Sequence, residues 1–286
     1  MKFAICNELF EGWAFDRVCR FIKETGYEGL EVAPFTLAPR ITDVTPARRA
    51  ELRRQAADAG VEIIGLHWLL AKTEGFHLTS PDAGVRQRTA AYVVALAEAC
   101  RDLGGSIMVF GSPVQRSFPP EVGASDAFRW AADAFRDAMP AVAACGVTIC
   151  MEPLTTAETN FITTCAQGAA LVEAVGHPQF VLHLDVKAMS SEPTPVPELI
   201  ERYAGQAGHF HVNDTNLRGP GAGPTDFVPI FRALAEARYD RWVSVEVFDF
   251  TPDPETIARE SLAYMIKCRA LASGRAAGSP EKELSA

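Results

Sequence analysis

The sequence predicts an α/β fold, an eight-stranded (β/α)₈ barrel built as a single domain. Three observations carry that expectation. Short β-type runs alternate eight times with longer helical runs along the 286 residues. The β runs are mostly continuous apolar stretches rather than clean alternations, as parallel strands covered on both faces should be. The first β-to-helix turn, residues 7–15, lacks the GxGxxG fingerprint that a doubly wound dinucleotide-binding sheet would carry. Length agrees, since barrels of this size are routinely one domain.

Strand one is read at Lys2–Asn7. The first helix begins near Asp16, sets Val18, Phe21 and Ile22 on one face, and stops at Gly26. Strand two is Gly29–Val32. The second helix runs from Thr45-Pro46 to Gly60, with Thr as N-cap, Pro in the first turn and Gly at the end. Strand three is Val61–Trp68, and the third helix, Asp82–Leu103, stops at Gly104-Gly105. Strand four, Ile107–Phe110, is closed by Gly111-Ser112-Pro113, and helix four, Ser125–Cys145, ends at Gly146. Strand five is Val147–Glu152 and helix five Thr164–Val175. Strand six, Phe180–Val186, leads through the Pro-rich segment Ser190–Pro197 to a short sixth helix, Val196–Ala204. Strand seven is His209–Asn213 and helix seven Asp226–Ala237. Strand eight is Trp242–Val247 and helix eight Pro254–Leu271. The barrel is therefore expected over residues 1–271. Residues 272–286, made of Gly, Ser, Ala and charge, are expected to form a disordered tail.

Composition narrows the function. A net charge of −9 argues against nucleic acid or an anionic membrane as partner, because both need clustered Lys and Arg. The seven cysteines are scattered, with no CxxC pair, and read as buried free thiols in a reducing cytoplasm. The N-terminus enters strand-like sequence at once, so no signal peptide is expected. No apolar run approaches the ~20 residues of a membrane helix.

Barrel active sites lie at the C-terminal ends of the strands. Four candidates stand at the ends of successive strands: Glu152, Asp185, His211 and Glu246, spaced by 33, 26 and 35 residues, about one β/α unit each. One carboxylate at a strand end serves equally well as a cap or an ion-pair partner. Three converging with an imidazole would repel one another unless a cation held them. The donors are hard and oxygen-rich, which suits one divalent ion, Mn²⁺ first, with Mg²⁺ or Co²⁺ as alternatives. His183 and His209 lie two residues earlier on the same inward face and read as interior histidines. His67 ends strand three and is expected to face the pocket as a substrate contact. Trp13, Phe10, Trp68 and Phe248 follow strand ends and are expected to cap the pocket.

At these residues the chain resembles the sugar phosphate isomerase/epimerase superfamily of xylose isomerase-like TIM barrels, most of all the D-tagatose/D-psicose 3-epimerase branch. The resemblance spans the whole barrel. It rests on Met151-Glu152-Pro153-Leu154, His183-Leu184-Asp185, His209-Phe210-His211 with Asn213-Asp214, and Val245-Glu246. It implies that Glu152, Asp185, His211 and Glu246 bind the metal and that Glu158 binds substrate. Glu152 and Glu246 become the two bases of a ketose 3-epimerase, which works by proton abstraction next to a carbonyl through a cis-enediolate. Two positions depart from the branch. Ala188 stands where it has a His that holds substrate, and Leu217 where it has an Arg. Lys187 and Arg218 are the nearby side chains available to replace them, and would favour a more acidic or phosphorylated sugar.

The resemblance further implies a small sugar substrate, a role in carbohydrate metabolism, and a homodimer or homotetramer. Close alternatives are an aldose–ketose isomerase, a hydroxypyruvate isomerase, or an inosose isomerase or dehydratase. A DNA-repair endonuclease shares the barrel but needs further histidines and a basic face. A non-catalytic sugar-binding barrel is the remaining alternative.

Overall fold

The computed structural model describes residues 1–274. Eight parallel strands close into one barrel in chain order. They are β1 (Lys2–Cys6), β2 (Gly29–Val32), β3 (Glu62–Leu66), β4 (Ile107–Phe110), β5 (Thr148–Met151), β6 (Phe180–Asp185), β7 (Ala207–Val212) and β8 (Trp242–Val245). Closure is made by β1 and β8, with Lys2 opposite Trp242 and Ile5 opposite Val245. Parallel neighbours need a crossover, and helices supply each one. These are α1 (Phe15–Thr25), α2 (Pro46–Asp58), α3 (Ala83–Leu103), α4 (Ala124–Ala144), α5 (Cys165–Val175), α6 (Val186–Met189), α7 (Val196–Tyr203), α8 (Phe227–Glu236) and α9 (Pro254–Ala272).

Side chains cap several of the helices, Thr45 among them as the sequence indicates. The hydroxyl of Thr45 accepts from Arg48 N at 3.2 Å, and that of Thr164 from Gln167 N at 3.2 Å. The carboxylates of Asp226 and Asp253 do the same for α8 and α9. Each cap satisfies a backbone donor that the first turn leaves unpaired. Apolar side chains fill the layer between sheet and helices. Phe135 of α4 lies between Phe110 of β4 and Phe180 of β6, with ring centroids at 5.1 and 4.6 Å. All seven cysteines are free, and all but Cys145 are buried.

Most differences from expectation fall at the mouth of the barrel. β1, β3, β5, β6, β7 and β8 stop at Cys6, Leu66, Met151, Asp185, Val212 and Val245, short of the expected ends, although the N–H groups of His67, Glu152 and Glu246 still donate to the neighbouring strand. After β1 the chain makes a 3₁₀ turn, Asn7–Phe10, and Asn7 Oδ1 accepts from Ala33 N at 2.8 Å. The short helix α6 was not anticipated; Asp185 caps it. At the other end, Ala272 still belongs to α9, so the expected tail begins too early. Its residues 275–286 lie outside the described residues. Among the described residues no helix is long and apolar enough to cross a membrane.

Candidate active site

Sheet register brings the first two candidates together. Asp185, the last residue of β6, pairs directly with His211 of β7. Glu152 and Glu246 each sit one residue past a strand. Their backbone N–H groups still donate to the neighbouring strand, to Phe110 O and Val212 O, both at 3.2 Å. One donor atom from each of Glu152, Asp185, His211 and Glu246 lies within 4.8 Å of the others, and all four residues are buried.

Their supports differ. Asp185 accepts from Ala188 N at 2.7 Å and from Asn213 Nδ2 at 2.6 Å. Glu246 Oε1 accepts from Trp68 Nε1 at 2.6 Å and faces His67 Nδ1 at 3.1 Å. Its Oε2 faces His211 Nδ1 at 3.2 Å. Among the described residues no side chain donates to the Glu152 carboxylate, and the nearest imidazole, His183, is 3.9 Å away. Glu152 Oε2 instead occupies the space that a side chain on Gly111 would fill.

Electrostatics follow from this. Burial, then the charges of Glu246 and Asp185, push the Glu152 carboxyl well above its usual range. Burial also raises Asp185, although Lys187 opposes the rise. Burial would raise Glu246 too, but His211 and His67 outweigh it and hold that carboxyl well below the usual range. Burial would lower His211, yet Glu31 and Glu246 hold it well above. An acid set with one undonated buried carboxylate lacks positive charge, and a hard divalent cation fits it.

Two acids beneath the cluster escaped the sequence reading. Glu31 Oε2 lies 2.9 Å from His209 Nε2 and 3.0 Å from His211 Nε2. Glu8 Oε2 lies 2.8 Å from His67 Nε2. The signal was present: Glu31 is a lone charge in the apolar run Gly-Leu-Glu-Val, and Glu8 directly follows β1. At Glu31 the β2–β3 register shifts, an irregularity of the kind that re-aims side chains near sites. His183 has no partner on either ring nitrogen among the described residues, and burial followed by the charges of His211 and His209 lowers it well below the usual value.

The remaining candidates separate. Lys187 Nζ bonds Glu158 Oε1 at 2.8 Å and lies 4.0 Å from the Phe248 ring centroid. Glu158 Oε2 accepts from Thr155 N and Oγ1. Glu152, Glu158, Glu246, Trp68, Leu154 and Phe248 line a cleft of about 300 Å³. Trp68 holds a left-handed φ of 50° there, a strained conformation stabilised by its bond to Glu246. Four expected substrate contacts are not among the residues lining this cleft: Lys187, which reaches it only through its bond to Glu158, and three others. His67 is fully buried between two carboxylates. Trp13 packs on Phe10 and Phe21, with the Arg17 guanidinium 3.5 Å from its ring centroid. Arg218 pairs with Asp249 at 2.8 Å and lines a separate cavity with Gly219, Pro220 and Tyr264. Leu217 is exposed, and Ala188 is buried in α6.

A closed β/α barrel with an acid and imidazole cluster at its C-terminal mouth is the architecture of a barrel enzyme. The chain belongs to the xylose isomerase-like TIM barrel family, whose model matches residues 19–268. It is 26% identical to an L-ribulose 3-epimerase of Mesorhizobium japonicum over 253 residues, covering 87% of this chain and 80% of the relative. It is 26% identical to a putative hydroxypyruvate isomerase of Streptomyces coelicolor, covering 73% and 77%. The solved structure of a D-psicose 3-epimerase in the presence of D-fructose superposes with a TM-score of 0.82 at 22% identity, covering 94% and 99%. That likeness shows the shared fold.

Proposed function

We propose that this isomerase-class enzyme is a metal-dependent ketose 3-epimerase. The observation that carries the reading is the convergence of Glu152, Asp185, His211 and Glu246 within 4.8 Å at the catalytic mouth. Those four residues would hold one divalent ion, Mn²⁺ in our reading. When bound, it supplies Lewis acidity towards a substrate carbonyl and its neighbouring hydroxyl. Glu152 and Glu246 extend from the ends of β5 and β8, with β6 and β7 between them. One takes the proton from the carbon beside the carbonyl, leaving a cis-enediolate, and the other, starting protonated, delivers its own proton to the opposite face. Positioned general bases of this kind contribute ~10²–10⁴-fold. Glu158, fixed by Lys187 and Thr155, reaches the same cleft and is placed to bind a sugar hydroxyl. Trp68 and Phe248 offer apolar ring faces to sugar C–H groups.

The test is solvent deuterium incorporation into a panel of ketoses with Mn²⁺ present. Wild type exchanges the proton at carbon 3. Glu152→Gln and Glu246→Gln abolish epimerisation while circular dichroism stays native. Near-normal turnover in either variant removes the two-base scheme.

A second reading within the class is a hydroxypyruvate isomerase or an inosose isomerase or dehydratase. It is favoured by Ala188 and Leu217, which leave the cleft without the His and Arg of the epimerase branch. Arg218 is tied to Asp249 and Lys187 to Glu158, which leaves Lys72, at the cleft wall, as a further cation for an acidic or phosphorylated substrate. Adding hydroxypyruvate and inososes to the panel separates these readings. The free cysteines support a cytoplasmic setting. A homodimer or homotetramer is the expected assembly, which light scattering reads directly.

A further inference from the structure

We propose that Glu8, acting through His67, is a positioning residue for Glu246 and sets how that carboxylate meets the metal; this rests on the metal-dependent reading above. Glu8 follows β1 and His67 follows β3, so neither comes from the strands that carry the four ligands. Both are enclosed, with 2% and 0% of their surface exposed. The His67 ring bridges two carboxylates, with Nε2 2.8 Å from Glu8 Oε2 and Nδ1 3.1 Å from Glu246 Oε1. Trp68, the next residue, donates to the same Oε1 at 2.6 Å. Oε1 is therefore held between the Trp68 N–H and the His67 ring. Oε2 is left as the atom turned towards His211 and the ligand cluster.

Nε2 stands at ion-pair distance from Glu8 without hydrogen-bond geometry, so a turned ring would leave the buried Glu8 carboxylate with no nitrogen beside it, which is costly in an enclosed site. Glu152 shows the contrast, because among the described residues no side chain donates to it. The site thus joins a clamped carboxylate on β8 to an unclamped one on β5. Groups that orient a ligand in this way are typically worth about 10–100-fold in metal affinity.

The experiment titrates metal-free protein with Mn²⁺ by calorimetry and follows deuterium exchange into the ketose that wild type exchanges. The double variant Glu8→Leu/His67→Leu replaces both partners by apolar groups and leaves no unpaired charge of the pair behind. It is expected to fold, to bind Mn²⁺ at least about tenfold more weakly, and to lose kcat with little change in KM, because the pair touches no substrate. Glu8→Gln keeps an acceptor for the ring and is expected to recover most of the affinity. A folded double variant with wild-type Mn²⁺ affinity overturns the proposal, as does Glu8→Gln binding no better than the double variant. Should the double variant fail to fold, His67→Gln carries the test: weaker Mn²⁺ binding supports the proposal and unchanged binding overturns it. Wild-type protein that binds no Mn²⁺ would bring down the reading beneath it as well. Wild-type protein that binds Mn²⁺ normally, beside variants that do so equally well, would bring down the proposal alone.

Discussion

At Gly111 the chain needs a hydrogen where every other residue puts a carbon. A Cβ there would fall inside the space of Glu152 Oε2, the undonated carboxylate of the cluster. Gly111→Ala is therefore expected to displace Glu152 and remove most of the exchange activity while leaving the melting temperature near wild type. Activity and melting measured on one preparation check this. At Glu158, burial alone would raise the carboxyl, but Lys187 and Thr155 hold it below its ordinary 4.5. A carboxyl lowered on folding contributes stability that is present above the unfolded value and lost as pH falls through the folded one. The stability gap between wild type and Glu158→Gln should therefore shrink as pH drops below about 4.5, as urea unfolding across a pH series reads. At this scale the ligand set was legible, because hard donors at successive strand ends are unusual in an apolar barrel. His67, Trp13 and Arg218 were not, since sequence places a residue at a mouth without saying which neighbour claims it.

Among the elements, β3 leaves no room for a side chain at Gly65, where it pairs with β4. A Cβ on Gly65 would strike the carbonyl and side chain of Ile107, which pairs with it across the ladder. Backbone cannot step aside inside a closed barrel, so Gly65→Ala should cost about 3 kcal/mol, the upper end for overpacking. A lower urea midpoint with an unchanged slope is the expected result. The strand cores and helix starts were readable because apolar runs, caps and terminal glycines are local signals. The strand ends were overestimated at β1, β3, β5, β6, β7 and β8. Past β1 the chain enters a 3₁₀ turn and the Asn7 side chain accepts from Ala33 N, a partner from the next strand's loop that no local pattern announces. Helix α6 was invisible for a related reason. Its four residues carry no periodic pattern, and the Asp185 carboxylate that caps them was read only as a ligand.

For the whole molecule, the acid cluster is an electrostatic cost unless a cation offsets it. Ligand that binds only the folded state stabilises it by ~2.7 kcal/mol at a hundredfold excess over Kd. Mn²⁺ should therefore raise the melting temperature by several degrees and a chelator should reverse the rise, with Glu152→Gln showing a smaller shift. A scan of Tm against Mn²⁺ concentration measures it. The sequence alone determined the barrel and its four-donor mouth, because hydrophobic periodicity and strand-end chemistry are written residue by residue. Only the tertiary structure decided what stands behind those donors. Glu8 reaches His67 from β1, and Glu31 reaches His211 from β2, across 59 and 180 positions of chain. Such pairs exist because closing the sheet carries distant strands into one desolvated interior, where a buried charge must find its partner by proximity in space rather than along the chain.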